Sequence, residues 1–447
     1  MNLKTKINNT SFLQRFLITF FLFSQILISK DLNVQQSLDY ALSYNTGIKL
    51  SYNSVRIAKA QSNEAKSLAM PKISGFVSSR HNFLLAEQII EFNGQSTPIK
   101  FGQDNSISIG VNVDQILFEG RVFSALRSSK IYTQLSRMSQ IHTTSQIIEK
   151  TKRAFYLCLL AKQSYYVIEK SYIRSISNYE STRTLFEKGQ KREFDMIQSE
   201  SLVAKRKSDM MNAEKSLQIS IENLKKIIGI PLDSNVNIIG NLDIGLRIDL
   251  DFEALQKTML DNQPLLQQAN YNLKLMKENI RYNRSSFLPG LYLNGSYGIS
   301  QSFDNDTFSS ENFNRNTYIG LNIALPIFEF SNFAKLDKSK AEYEKANYNK
   351  IDLEQNLILE LKSLFLTFNE TKQKISSAQK QLELAIKGQS ASKKLFDRGM
   401  ITQIEFEAAE LSLLQAELQI EQVKFEYLTT IASIERSIGS ELGKLNE

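Results

Sequence analysis

Cysteine, tryptophan, histidine and proline are scarce in this 447-residue chain. It has one cysteine, no tryptophan, two histidines and six prolines. A single cysteine, Cys158, excludes an intramolecular disulfide. It also leaves no cysteine after the N-terminal leader to carry a lipid anchor. Set in helical sequence, Cys158 reads as a small buried apolar residue. His81 and His142 belong to no H-E-x-x-H or similar motif. There is no G-x-S-x-G, no phosphate loop and no cysteine cluster. The expectation is therefore a protein that is not an enzyme, with no catalytic residue, no cofactor and no resident metal. No apolar run of 18 or more residues follows the leader, which argues against a helical membrane protein.

What is present begins with charge. Lys4, Lys6 and Arg15 precede the apolar run "FLITFFLFSQILIS" (Phe16 to Ser29), which is the pattern of a secretory signal peptide over residues 1–29. The net charge is +7, and without those three residues it is +4. So mild an excess gives no reason to expect a nucleic-acid partner.

The chain is written twice. Asn33 in "LNVQQSLDYAL" has Gln36 three residues on, as in a capping box. Asp251 in "LDFEALQKTML" is a second N-cap 218 residues later, with Ala254 leaving that box incomplete. Pro71 and Pro289 are also 218 apart. Phe118 and Phe328, Gly189 and Gly399, and Gly229 and Gly439 are all 210 apart. One net eight-residue difference thus lies between Pro71 and Phe118, in the manner of an exposed loop. The first repeat is expected over 30–240 and the second over 241–447. The strand pairs fall at about 72–118 and 290–328, and the helical turns near 189 and 399.

Between Arg121 and Lys188 lie 68 residues without Gly or Pro. As one helix they span ~100 Å at ~1.5 Å per residue. After Gly399, steps of 4 and 3 through Ile404, Ala408, Leu411, Gln415, Leu418, Gln422 and Phe425 predict a coiled-coil seam. The segments between helices alternate instead. Ile107, Ile109, Val111 and Val113 share one face. So do Leu291, Leu293, Tyr297 and Ile299, and likewise Ile319, Leu321, Ile323 and Leu325. "KISGFVSS" is the weakest, with Ile73 and Val77. Segments of ~10 residues suit tilted transmembrane β-strands, and Phe101, Phe118, Phe303, Phe328 and Phe330 lie near strand ends, where an aromatic girdle would be. Four strands cannot close a barrel. About eight give an interior just filled by side chains. A conduit built from this chain therefore needs at least three copies.

The signal, the two helix–hairpin–helix–turn–helix repeats, "LNVQQSLDYAL", "AMPKISG", "ILFEG" and "FEKGQKREFD … LKKIIGIPL" together resemble the TolC family of outer-membrane efflux proteins. The resemblance covers nearly the whole chain after the leader. It implies a mainly α fold with a membrane β-barrel portion: long coiled-coil hairpins plus four β-strands per protomer. A homotrimer would carry a 12-stranded barrel in outer-membrane lipid and an α-helical periplasmic tunnel. Its implied role is the exit duct for an inner-membrane pump of the RND or ABC type, joined through a periplasmic adaptor. The resemblance puts the two glycine turns at the inner end of the tunnel. Gly189, Gln190, Lys191 and Arg192 in one turn, and Gly399, Met400 and Ile401 in the other, become adaptor-contact candidates. Asp195 and Glu405, each six residues past a glycine, become candidates for the tunnel constriction. The family pattern puts a second acid three residues beyond Glu405, where this chain has Ala408, with Glu407 beside it. The first tip has Gln198 at the equivalent place. The competing reading is a secreted or periplasmic coiled-coil scaffold with no channel. It leaves the matched apolar-faced strand pairs unexplained.

Overall fold

The computed structural model describes residues 30–92, 95–243, 249–304 and 313–442. The signal-peptide reading of residues 1–29 lies outside them, as does much of the loop between the last two strands. Among the described residues the helices fall into four pairs of equal length. α1 (Val34–Tyr44) and α5 (Phe252–Asn262) have 11 residues each, and α2 (Thr46–Ser67) and α6 (Pro264–Ser285) have 22 each. α3 (Gly120–Glu187) and α7 (Phe330–Asp397) have 68 each, and α4 (Glu193–Ile228) and α8 (Gln403–Ile438) have 36 each. The strands are β1 (Lys30–Leu32), β2 (Lys72–His81), β3 (Glu87–Phe92), β4 (Gln95–Lys100), β5 (Asn105–Phe118), β6 (Val236–Ile238), β7 (Gly290–Phe303) and β8 (Asn314–Ala324). No described helix is long and apolar enough to cross a membrane.

Contacts divide the chain into two compact units, each drawing on both halves of the sequence. One unit holds 51–141 and 264–356. Its centre is an antiparallel sheet in the order β2-β5-β7-β8. Register decides what each face carries, because directly opposed residues share a face. One face carries Ile73 opposite Val113 and Val77 opposite Ile109. It continues with Ile109 opposite Ile299, Val111 opposite Tyr297, and Leu293 opposite Leu321. Ile73, Val77, Ile319, Leu321 and Ile323 are exposed. The other face is polar. There Asn294 Nδ2 donates to Asp114 Oδ1 and the Ser296 hydroxyl to Asn112 Oδ1, both at 2.8 Å. The eight extra residues of the first repeat are accounted for by a structured element, not a plain loop. β3 and β4 pair as a two-stranded ribbon between β2 and β5. In the helices of this unit, buried Glu278 is held by Arg127 Nε at 2.8 Å and by Arg281.

The other unit holds the described parts of 1–50, 142–263 and 357–447. The Asn33 capping box forms as its spacing predicts, with Gln36 N–H to Asn33 Oδ1 at 2.8 Å and Asn33 N–H to Gln36 Oε1 at 2.9 Å. Asp251 forms the half-box, accepting from Ala254 N–H at 2.9 Å. β1 and β6 pair in parallel beside a core that includes Leu32, Phe155, Cys158, Leu224 and Ile228. Cys158 is fully buried, and burial pushes its thiol up to about 11. The seam of α8 is not the predicted one. Phe406, Leu413, Ile420, Tyr427 and Ile434 are buried at seven-residue intervals, and Ala416, Val423, Thr430 and Ser437 each follow one of the last four by three residues. The expected stripe runs along another face, where Ile404 and Leu411 are exposed. The period holds; the expected stripe is half-buried at Leu418, Gln422 and Phe425, where Phe425 packs against the core, and exposed toward the tip. The stripe containing Ile404 and Leu411 also admits two glutamines, whereas the aromatic rings of Phe406 and Tyr427 supply more area to bury. α7 answers with Leu361, Phe368 and Ile375, also seven apart. Phe368 stacks on Tyr427 with centroids 5.4 Å apart. Seven-residue seams of this kind impose left-handed helix packing.

Candidate functional site

The two helical turns are built alike. Gly189 N–H donates to Phe186 O and Gln190 N–H to Leu185 O, both at 2.8 Å. Gly399 N–H donates to Phe396 O and Met400 N–H to Leu395 O, both at 2.9 Å. These are the paired bonds of a Schellman motif, whose glycine must be left-handed. The φ values are 72° and 71°. A Cβ on either glycine would meet nothing within 4 Å. Glycine is needed at both turns for the backbone conformation, not for space.

Three residues past each glycine stands the N-cap of the next helix, Arg192 or Thr402, and three further comes its N3 acid. In the second tip the capping box is complete. Glu405 N–H donates to Thr402 Oγ1 at 3.3 Å, while Glu405 Oε2 accepts from Thr402 N–H at 2.7 Å and its hydroxyl at 2.9 Å. These bonds hold the exposed Glu405 carboxyl below the usual range. In the first tip the N-cap side chain has only donors. Arg192 N–H, Nε and Nη2 reach the Asp195 carboxylate at 3.3, 3.1 and 2.9 Å. The guanidinium holds that carboxyl low. The two constriction candidates thus differ. Asp195 is 6% exposed and ion-paired. Glu405 is exposed and has no cation partner among the described residues.

The tips also touch one another. Lys191 Nζ sits 4.0 Å from the centroid of Phe396. Phe396 is buried and stacks on Phe406 at 4.8 Å. Lys191 is therefore half-buried rather than simply solvated. Glu407, the neighbour of Ala408, accepts from Gln198 Nε2 of the first tip at 3.2 Å and from Gln403 Nε2 at 2.7 Å. Farther from the turns, Arg174 donates to Glu410 at 3.0 Å and Glu417 at 3.4 Å, and Gln389 Nε2 donates to Glu410 at 2.6 Å. Sequence reasoning missed these partners. The seven-residue interval from Glu410 to Glu417 was the available signal, but a pairing 236 residues apart has no local mark. Exposed apolar side chains remain at both tips: Phe194 and Ile197 in the first, Met400 and Ile404 in the second. Gly189, Gln190, Arg192, Gly399 and Met400 are exposed and Ile401 is half-buried.

Neither histidine sits in a catalytic constellation. His81 Nδ1 lies 2.8 Å from Asn105 Oδ1. Burial, then the nearby Arg436 charge, pushes the His142 imidazole below its ordinary value. Among the described residues, no group of three or more His, Cys, Asp or Glu side chains is placed to hold a metal ion.

Comparison with known proteins agrees with this architecture. Residues 255–440 match the outer membrane efflux protein family. The chain is 19% identical over 331 residues to the alkaline protease secretion protein AprF of Pseudomonas aeruginosa, covering 72% of this chain and 68% of that one. It is 22% identical over 343 residues to the outer membrane protein TolC of Vibrio cholerae, covering 76% and 78%. The fold superposes on the CmeC outer membrane channel of Campylobacter jejuni with a TM-score of 0.77 at 18% identity, over 91% of this chain and 85% of that one. The chain is thus similar to the outer membrane efflux protein family over residues 255–440, and its fold is that of the solved outer membrane channel.

Proposed function

We propose that the protein is the outer-membrane exit duct of an efflux or type I secretion system, anchored in the outer membrane and extending into the periplasm. One observation carries this reading: an antiparallel four-stranded sheet with a continuous apolar face and two open edges, β2 and β8. In lipid every backbone polar group must be paired, so open edges cannot stand there. Pairing β8 with β2 of another copy removes them. Two copies leave an interior filled by side chains, whereas three leave a lumen. The functional unit is accordingly a homotrimer with a 12-stranded barrel, its apolar face against outer-membrane lipid. The match to the outer membrane efflux protein family and the likeness to a secretion protein support both an efflux and an export role. A scaffold without a channel has no use for an apolar sheet face.

The repeats at 30–240 and 241–447 give each protomer two hairpin tips. Those tips dock the periplasmic adaptor, which connects the duct to an inner-membrane pump of the RND or ABC type. The exposed Phe194, Met400 and Ile404 support this role. Between the constriction candidates, exposure favours Glu405. Asp195 is committed to Arg192 and shapes the turn. The duct performs no chemistry of its own.

The test is extraction and reconstitution. The protein should need detergent to leave the outer membrane, crosslink as a trimer, and give steady unitary currents in planar bilayers. Recovery as a soluble periplasmic monomer without channel activity would defeat the reading.

A further inference from the structure

Away from the row of Tyr292, the polar face of the sheet carries two further rings that the duct alone does not call for. From Lys72 to Ser78 that face is serine, asparagine and glycine, with one ion-forming pair opposed as Lys72 and Asp114. Two aromatic residues interrupt it. Phe76 stands opposite Gly110, which stands opposite Gly298. Tyr318 stands opposite Ser296, one row away. A Cβ on Gly110 would meet Phe76 Cε1 and Cζ at 2.8 Å, and one on Gly298 would meet Cζ at 3.9 Å. The Phe76 ring therefore lies across Gly110 on the polar side, over a place that admits no side chain. Covering a strand glycine with a ring stabilises a sheet, which accounts for where Phe76 rests. It does not account for Tyr318, which is 53% exposed, nor for rings among rows whose other members suit water.

Barrels of this type turn the apolar face to lipid and the polar face to the lumen. Phe76 is on β2 and Tyr318 on β8, the two edges of the sheet. Closing the ring sets β8 of one copy beside β2 of the next, so both rings come to adjoining strands at each junction. We propose that Phe76 and Tyr318 form an aromatic contact strip for cargo at each junction on the inner wall, recognising planar aromatic cations. The inference rests on the duct reading. A ring face attracts a cation and stacks on a flat apolar body. The serine and asparagine rows around it hydrate the rest of the cargo without holding it.

The experiment is current block of the reconstituted trimer by ethidium, a planar aromatic cation, and by tetraethylammonium, an aliphatic one. Phe76→Leu keeps an apolar cover over Gly110 and removes the ring. It should weaken ethidium block roughly three- to tenfold, with tetraethylammonium block unchanged. Tyr318→Ala should act in the same direction, and Tyr318→Phe should retain the block. The proposal is overturned if Phe76→Leu and Tyr318→Ala leave ethidium block intact, or if both probes weaken equally, which would report a change of width. A wild-type protein that makes no conducting trimer would instead remove the duct reading beneath it.

Discussion

Two left-handed glycines with nearly the same backbone should respond very differently to alanine. Gly189 has φ 72° and Gly229 has φ 76°. Holding an L-residue in that region costs ~1–2 kcal/mol. At Gly189 that is the whole penalty, because a new Cβ meets nothing within 4 Å. At Gly229 the Cβ would lie 2.6 Å from Tyr44 O and 2.7 Å from Tyr44 C. Those are backbone atoms at the end of α1, and they cannot rotate away. Displacing them adds an overpacking cost of ~1–3 kcal/mol. The assay is amide hydrogen exchange on the detergent-solubilised protein, read at Gln190 for the first site and at Ile230 and Asn45 for the second. Gly189→Ala should speed local exchange about tenfold, and Gly229→Ala by roughly a hundredfold or more, at 1.4 kcal/mol per decade. Asparagine tolerates the left-handed region, so Gly189→Asn should recover most of the loss while Gly229→Asn recovers none. Equal effects of the two alanines, or rescue by asparagine at both, would refute the steric argument.

The remaining predictions concern the core and the caps. Cys158 is fully buried with its thiol pushed up to about 11, so a maleimide should label it only after denaturation; labelling of the native protein at pH 7 would contradict its placement. Phe368→Ala removes a buried ring stacked on Tyr427 and should cost ~3–5 kcal/mol, seen as a lower midpoint for loss of helical circular dichroism. The Glu405 carboxyl is held low by Thr402, so its cap is fully present above the ordinary glutamate value of about 4.3 and is lost as pH falls through the lowered native value. Exchange at Phe406 N–H, which donates to Thr402 O, should show that acid-side loss, and Thr402→Ala should move it to higher pH. Glu405→Gln keeps an N3 acceptor but removes the charge. It should leave that exchange nearly unchanged while lowering the channel's cation selectivity; unaltered selectivity would remove Glu405 from the constriction.

Much of the fold was legible because it rests on local rules. The helix–strand breaks at Pro71 and Pro289, the caps at Asn33 and Asp251, the left-handed glycines and the alternation of Ile107 to Val113 all act within a few residues. Each appears where its chemistry puts it. The phase of the α8 seam was not legible, because a heptad pattern with mixed polar members fits two faces and only the partner helix selects one. Phe368 makes that selection by stacking on Tyr427. The β3–β4 ribbon was hidden for a related reason. Glu87, Glu91 and Lys100 dilute its alternation, and Pro98 removes a ladder donor, as is tolerated in a ribbon that is all edge. In the tips, the glycine and its acid were visible, but Lys191 over Phe396 joins residues that the sequence holds far apart.

The recurrence of an acid six residues past each glycine has a local cause. A Schellman turn spends three residues between its glycine and the next N-cap, and an N3 carboxylate lies three beyond that cap. Any tight turn of this length between two long helices favours an acid at that place, whether or not a lumen is near. In the proposed homotrimer a second effect of opposite sign would act. Carboxylates gathered around a threefold axis raise one another's pKa, whereas the bonds from Thr402 to Glu405 and from Arg192 to Asp195 lower it. The cap therefore keeps a converging carboxylate ionised to lower pH than an uncapped one would stay. It does so without neutralising Glu405, since Thr402 brings no charge. Arg192 does neutralise Asp195, and Asp195 is turned into the tip. The same turn geometry thus yields a buried carboxylate paired with an exposed guanidinium in one repeat and an exposed, persistently charged acid in the other. Only the second has the form that a cation-attracting ring requires.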